Sequence, residues 1–101
     1  MQLWSSDFLE LIAIDGNYIQ FEPAGSHSNL KRDFISILGA EGRAIGLAKR
    51  FGYETLPLEI PRVIFDDFVR ASLIEQDGTT DEGHTIFRVT HEGRKRARRA
   101  A

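Results

Sequence analysis

A dense run of cations near the C-terminal end is the feature of this sequence with the plainest chemistry. From His84 to Ala101 there are six cations and one anion, Glu92, whereas the other 83 residues hold seven cations and 14 anions. Such a run can neutralise the phosphates of a polyanion. It can equally form a solvated helix whose cations suit the negative end of the helix dipole. The six cations are Arg88, Arg94, Lys95, Arg96, Arg98 and Arg99.

The elements around this run are a hairpin and a final helix. Residues 84–90 read as a strand, and a short partner strand near Ile74–Gln76 would complete a hairpin with the polar tip "DGTTDEG". Thr90 is a suitable N-cap for a helix that carries Glu92 in its first turn and the cations after it. We therefore predict that the basic run lies on a helix held by a hairpin.

The segment "PRVIFDDFVRASLI" (61–74) predicts a further helix, which Pro61 can begin because its missing N–H costs nothing there. Its apolar stripe faces inward and its charged residues face outward. Arg62 and Arg70 lie near one face, where each could also pair with Asp66 at four-residue spacing. The inward residues are Ile64, Phe65, Phe68, Ser72 and Leu73, and the outward residues are Arg62, Asp66, Asp67 and Arg70.

The N-terminal half leaves one alternative open. In "FLELIAIDGNYIQFE" (8–22), Asp15-Gly16 favours a hairpin, while a helix capped at Ser5 or Ser6 and stopped by Gly16 is the alternative. Either interpretation continues into a half-buried strand around Tyr18–Glu22. We predict helices over "NLKRDFISIL" (29–38), ended by Gly39, and "EGRAIGLAKRF" (41–51), with an extended connection over 53–60.

The composition indicates one small globular domain. The chain has 101 residues, 42% hydrophobic and 28% charged, with a formal net charge of −2 and no cysteine. We predict a single domain over 1–101, without disulfides. No apolar run spans a membrane and no leader pattern stands at the N-terminal end, which favours a cytoplasmic protein without membrane contact. The three histidines lack metal-ligand spacing and no catalytic motif is present, so we expect no metal, no cofactor and no enzymatic activity.

Three segments resemble winged helix-turn-helix regulators of the MarR and PadR type. "AIGLAKRFG" looks like the first helix of a helix-turn-helix, "FVRASLIEQD" resembles the end of a recognition helix, and "FRVTHEGRKRA" resembles the strand-to-helix signature of these families. The resemblance covers about residues 28 to 98. It implies an α+β winged helix-turn-helix fold, a three-helix core with a β-hairpin wing, preceded by an N-terminal extension over 1–25.

The resemblance also implies a function, which is regulation of transcription by binding double-stranded DNA. On that hypothesis Arg62 and Arg70 face the major groove. Phosphate contacts then come from cations of the neighbouring elements. These are Lys49, Arg50, Arg94, Lys95, Arg96 and Arg98.

Two further hypotheses concern protein partners. Asp66 and Asp67 are unusual on a DNA-reading helix, so the alternative function is a winged-helix interaction module that docks a basic protein partner through an acidic helix. The N-terminal extension carries Trp4, Phe8, Ile12 and Ile14, more apolar surface than a three-helix domain needs locally. This favours a homodimer contact within residues 1–25.

Overall fold

The computed structural model describes residues 5–26, 30–40 and 58–100. These residues form three helices and one antiparallel five-stranded sheet, in the strand order β3-β2-β1-β5-β4. Strand β1 therefore lies at the centre of the sheet. The elements in chain order are α1 (Ser5–Ile12), β1 (Tyr18–Glu22), β2 (Phe34–Leu38), β3 (Leu58–Glu59), α2 (Arg62–Arg70), β4 (Ile74–Thr79), β5 (Thr85–Val89) and α3 (His91–Ala100).

The register of the sheet defines its apolar face. Ile19 of β1 pairs with Ile37 of β2 on one side and with Phe87 of β5 on the other. Directly paired residues project to the same face, so these three side chains share one face. All three helices pack against that face, and the described residues therefore form a two-layer α+β sandwich. The helix residues buried there are Phe8, Leu9, Ile12, Phe65, Phe68 and Ala97.

Helix α2 is anchored by its aromatic side chain Phe65. The Phe65 ring stacks on Phe21 at a centroid distance of 5.5 Å and meets Phe87 edge-on at 5.0 Å. Each such pair contributes about 0.5–1.5 kcal/mol beyond the burial of its area. The prediction of a helix that begins after Pro61 is confirmed, although the helix ends at Arg70. Ser72 then takes a positive φ of 58°, which turns the chain into β4.

The preferred hairpin over residues 8–22 is wrong, and the alternative helix is what forms. Residues Ser5–Ile12 are helical because Phe8, Leu9 and Ile12 fall on one side and are buried together. Gly16, with a φ of +89°, ends this segment rather than closing a hairpin. The strand predicted around Tyr18–Glu22 is confirmed as β1.

The helix predicted over residues 29–38 is also wrong, because Phe34–Leu38 is strand β2. Its spacing of Phe34, Ile37 and Leu38 suits a helix, but a short continuous apolar run is equally compatible with a strand buried on both faces. Residues 35 to 38 are all buried, and β2 is paired on both sides, with β1 and with β3. Tertiary pairing has decided the structure of this segment.

The predicted hairpin of β4 and β5 is confirmed, with Ile74 paired to Val89 and Gln76 to Phe87. Strand β4 lies at the edge of the sheet. Its register is irregular between Gln76 and Thr79, where Gly78 has a φ of +98°. The exposed Arg88 of β5 donates to Asp77 of β4 at 2.7 Å.

The winged helix-turn-helix architecture is contradicted. The order of helix, hairpin and helix over residues 62–100 is as predicted, but this unit joins a five-stranded sheet instead of a three-helix core. The cause is that the segment predicted as a core helix forms β2. The helix predicted over 41–51 lies outside the described residues.

Within the N-terminal extension predicted over residues 1–25, helix α1 and strand β1 contribute to the domain core. Phe8 and Ile12 are 3% and 0% exposed within the single chain, so they serve α1 packing rather than a dimer contact. Ile14 is 55% exposed, and Trp4 lies outside the described residues. No helix among the described residues is long and apolar enough to cross a membrane.

Candidate nucleic-acid interface

Helix α3 carries five of the six cations of the basic run, and Thr90 fixes where this helix begins. The Thr90 hydroxyl accepts a hydrogen bond from the Gly93 backbone N–H at 3.0 Å, which confirms the predicted N-cap. The same hydroxyl donates to the Ser72 carbonyl at 2.7 Å, and the Thr90 N–H donates to the Leu73 carbonyl at 2.9 Å. The start of α3 is thereby tied to the connection between α2 and β4.

The inward face of α3 consists of small residues. Gly93 is buried, and a Cβ at this position would stand 2.2 Å from the Leu73 carbonyl oxygen. Ala97, one turn later, is 5% exposed and belongs to the core cluster with α1. Gly93 and Ala97 are small enough to let the helix approach the core closely, and the larger described side chains of α3 are exposed or half-buried.

The cations occupy most of the outer surface of α3. At 100° per residue, five cations spread around the axis over about 200°, in the order Arg94, Arg98, Lys95, Arg99 and Arg96. His91 falls between Arg98 and Lys95, and Glu92 falls between Arg99 and Arg96. The centre of this arc is about 180° from the direction shared by Gly93 and Ala97. Cationic side chains therefore cover both flanks and the crest of the exposed half of α3.

Two of these five cations are already engaged within the protein. Arg94 donates from Nη1 to the Ala13 carbonyl at 2.8 Å, just beyond the C-terminal end of α1, and approaches Asp15 Oδ1 at 3.3 Å. Lys95 lies 3.9 Å from Glu92, a long contact between exposed groups that contributes little. Arg94 thus holds α3 to α1, and its predicted role in phosphate contact is the least supported of the four on this helix.

The other three cations, Arg96, Arg98 and Arg99, are exposed and form no ion pair with any residue that the structure describes. They are available to an external anion. Arg96 and Arg98 are among the phosphate contacts expected from the sequence. Arg99 belongs to the basic run, but the sequence prediction assigns it no phosphate contact. A helical-wheel projection would have identified it as a candidate contact, because it places Arg99 between Lys95 and Arg96 on the exposed side of the helix.

A groove lies on each side of α3. On the flank of Arg98, a groove of about 300 Å³ runs between the C-terminal end of α1 and α3. On the flank of Arg96, a groove of about 350 Å³ runs between the N-terminal end of α1, the C-terminal end of α2 and α3. Helix α3 therefore stands as a ridge with open space on both sides. The first groove is lined by Glu10, Ala13, Ile14, Arg94, Ala97 and Arg98.

The cations predicted on α2 have partners of their own. Arg62 Nε donates to Asp66 Oδ1 at 3.0 Å, and its Nη1 also pairs with Asp33. The hydrogen bond to Asp66 raises the pKa of Arg62 above its ordinary value, as does the nearby charge of Asp33. Arg70 pairs with Asp67 at 3.0 Å, three residues away, and not with Asp66. Base contact by Arg62 and Arg70 stays a prediction that these ion pairs do not favour.

Among the described residues, the tip of the predicted hairpin adds no cation to the ridge. Lys49 and Arg50 lie outside the described residues. The hairpin tip carries Asp81 and Glu82, both exposed, which repel phosphate. No group of three or more His, Asp or Glu side chains in the described ranges is placed to hold a metal ion.

Comparison with known proteins finds no matching family model, no matching curated protein and no matching solved structure. The function is therefore inferred from the geometry of α3.

Proposed function

We propose that this protein binds nucleic acid through the phosphate backbone, with helix α3 as the contacting element. The observation that supports this proposal is the set of three exposed guanidiniums, Arg96, Arg98 and Arg99, on a helix whose opposite face is fixed to the core. Guanidinium groups match phosphate oxygens in charge and in hydrogen-bond geometry. A helix that is packed along its length presents them without a large ordering cost on binding.

The charge of the rest of the protein orients this contact. The formal net charge is −2, although six of the 13 cations lie beyond residue 83. A polyanion is therefore attracted to α3 and repelled by most of the remaining surface. Repulsion limits the affinity. Because the attraction to α3 is electrostatic, we expect binding that weakens as salt rises.

The alternative function, docking of a basic protein on the acidic helix, has less support. Asp66 and Asp67 of α2 are each paired with an arginine of the same helix. A basic partner would have to compete with Arg62 and Arg70 for these carboxylates. We therefore propose the nucleic-acid function first. A cytoplasmic location belongs to this proposal, and transcriptional control is a further step that requires binding at a defined sequence.

The test is fluorescence anisotropy of labelled duplex DNA at several salt concentrations. The full chain is compared with the triple variant Arg96→Gln, Arg98→Gln, Arg99→Gln, in which glutamine preserves helix propensity. Three phosphate contacts predict that the logarithm of the binding constant falls with the logarithm of the salt concentration with a slope of about −2.7 for the full chain. The triple variant should lose most of this salt dependence.

A matched control removes the same charge elsewhere. The variant Lys31→Gln, Arg32→Gln, Arg88→Gln changes three exposed cations that lie off helix α3. It should keep most of the salt slope, and circular dichroism checks that both variants fold. Absence of binding at low salt, or equal losses in the two triple variants, would overturn the proposal.

A further inference from the structure

The cations of α3 lie on two opposite flanks, and this distribution indicates the shape of the partner. At 100° per residue, Arg98 and Arg96 point about 160° apart around the helix axis, with Lys95 and Arg99 between them. On the basis of the proposed function, we infer that α3 enters the major groove of duplex DNA and contacts the phosphates of both strands.

A single phosphate backbone does not match this arrangement. A single strand lying along α3 faces one side of the helix and leaves the guanidinium of the other flank without a phosphate. A groove bounded by two strands places phosphates on both sides of an inserted helix. The flank residues Arg96 and Arg98 then contact opposite strands, and the residues Lys95 and Arg99 lie between the two strands.

The dimensions of the major groove distinguish duplex DNA from duplex RNA as the partner. A helix with its side chains is about 10–12 Å across, and the major groove of B-form DNA is about 12 Å wide. The major groove of A-form RNA is too deep and narrow to be read by side chains in this way. Duplex DNA is the nucleic acid that receives α3.

The surface around α3 leaves room for insertion. Grooves of about 300 and 350 Å³ beside Arg98 and Arg96 separate these side chains from α1 and from the C-terminal end of α2. Carboxylates also lie near these flanks. Glu10 and Asp67 each line one groove, Asp15 contacts Arg94, and Glu92 lies on α3 between Arg99 and Arg96. Asp67 is paired with Arg70, while Arg96 and Arg98 have no ion-pair partner among the described residues and remain open to phosphates on the two sides.

The experiment measures binding of the full chain to three labelled probes of equal length, at one low salt concentration. These are duplex DNA, the corresponding single-stranded DNA and the corresponding duplex RNA. Single-stranded DNA and duplex RNA should each reach only one flank of α3, and loss of the contacts of the other flank should weaken binding by about tenfold. Duplex DNA should therefore bind at least tenfold more tightly than either of these two probes. On duplex DNA titrated at several salt concentrations, Arg96→Gln and Arg98→Gln should each reduce the salt slope by about 0.9.

A duplex with an occupied major groove provides the sharpest control. A dA·dT duplex is compared with the same duplex carrying a third dT strand in its major groove. The third strand adds phosphates, so simple charge attraction predicts tighter binding, whereas insertion of α3 predicts a loss of at least tenfold. Tighter binding to the triplex, or equal affinity for single-stranded and duplex DNA, would overturn the groove inference and leave phosphate binding intact. Absence of binding to every probe would overturn both proposals.

Discussion

Gly93 of helix α3 lies so close to Leu73 that a Cβ at position 93 would stand 2.2 Å from the Leu73 carbonyl oxygen. The neighbour is a backbone atom that is also hydrogen-bonded to the Thr90 N–H, so it cannot move freely. The contact between Gly93 and Leu73 therefore fixes the position of the basic helix α3 relative to the sheet.

Gly93→Ala should lower the free energy of unfolding by about 1–3 kcal/mol, because α3 must shift away from Leu73. This loss should occur although alanine favours a helix over glycine by about 1 kcal/mol. Urea unfolding measures the change, with the exposed position His91→Ala as a control expected within about 0.5 kcal/mol of the parent. A more stable Gly93→Ala protein would show that α3 does not approach the core this closely.

The hydroxyl of Thr90 makes two hydrogen bonds, to the Gly93 N–H and to the Ser72 carbonyl. Thr90→Val keeps the shape of the side chain and removes both bonds, so it should cost about 1–2 kcal/mol. Thr90→Ser retains the hydroxyl and should lose less than half of that amount. Thermal and urea unfolding followed by circular dichroism compare the two, and equal losses would argue against the cap.

Two isoleucines near the C-terminal end of α1 offer a matched pair. Ile12 is 0% exposed in the core, whereas Ile14 is 55% exposed beyond the end of the helix. Ile12→Ala should reduce the free energy of unfolding by about 2–5 kcal/mol, and Ile14→Ala should change it by no more than about 0.5 kcal/mol. A concentration-dependent loss of stability on Ile14→Ala would instead indicate that a second copy covers this residue.

Ser36 is a fully buried residue of β2 whose hydroxyl has no hydrogen-bond partner in the described part of the chain. Replacing it with alanine removes an unsatisfied polar group, so Ser36→Ala should raise the free energy of unfolding by up to about 1 kcal/mol. Ser26→Ala provides the contrast, since the exposed Ser26 hydroxyl donates to the Pro23 carbonyl at 2.5 Å. Destabilisation by more than 1 kcal/mol at Ser36 would mean that its hydroxyl is satisfied in solution.

The C-terminal part of the fold could be predicted because its signals are local. Pro61 marks the start of α2, the polar tip marks the hairpin, and Thr90 marks the start of α3. Each of these signals depends on the conformational preference of one or two residues.

The N-terminal part could not be predicted in the same way. The run "FISIL" suits a helix or a buried strand, and its structure is decided by the strands paired on either side of it. The same limit applies to the candidate site. The sequence shows a basic helix, but the bond from Arg94 to the Ala13 carbonyl depends on how α1 and α3 pack. Only the packed structure separates this cation from Arg96, Arg98 and Arg99.

The pairing of Ile19 with Phe87 also determines when the protein can fold during its synthesis. Strand β1 leaves the ribosome well before its neighbour β5, which appears only after most of the described chain has been made. Until then, one side of the central strand has no partner, and helix α1 lacks the surface of α3 against which it packs. Pairings this distant along the chain slow folding because the intervening loop must close first. A nascent chain that stops before β5 would therefore expose the apolar face of β1 to aggregation or to a chaperone.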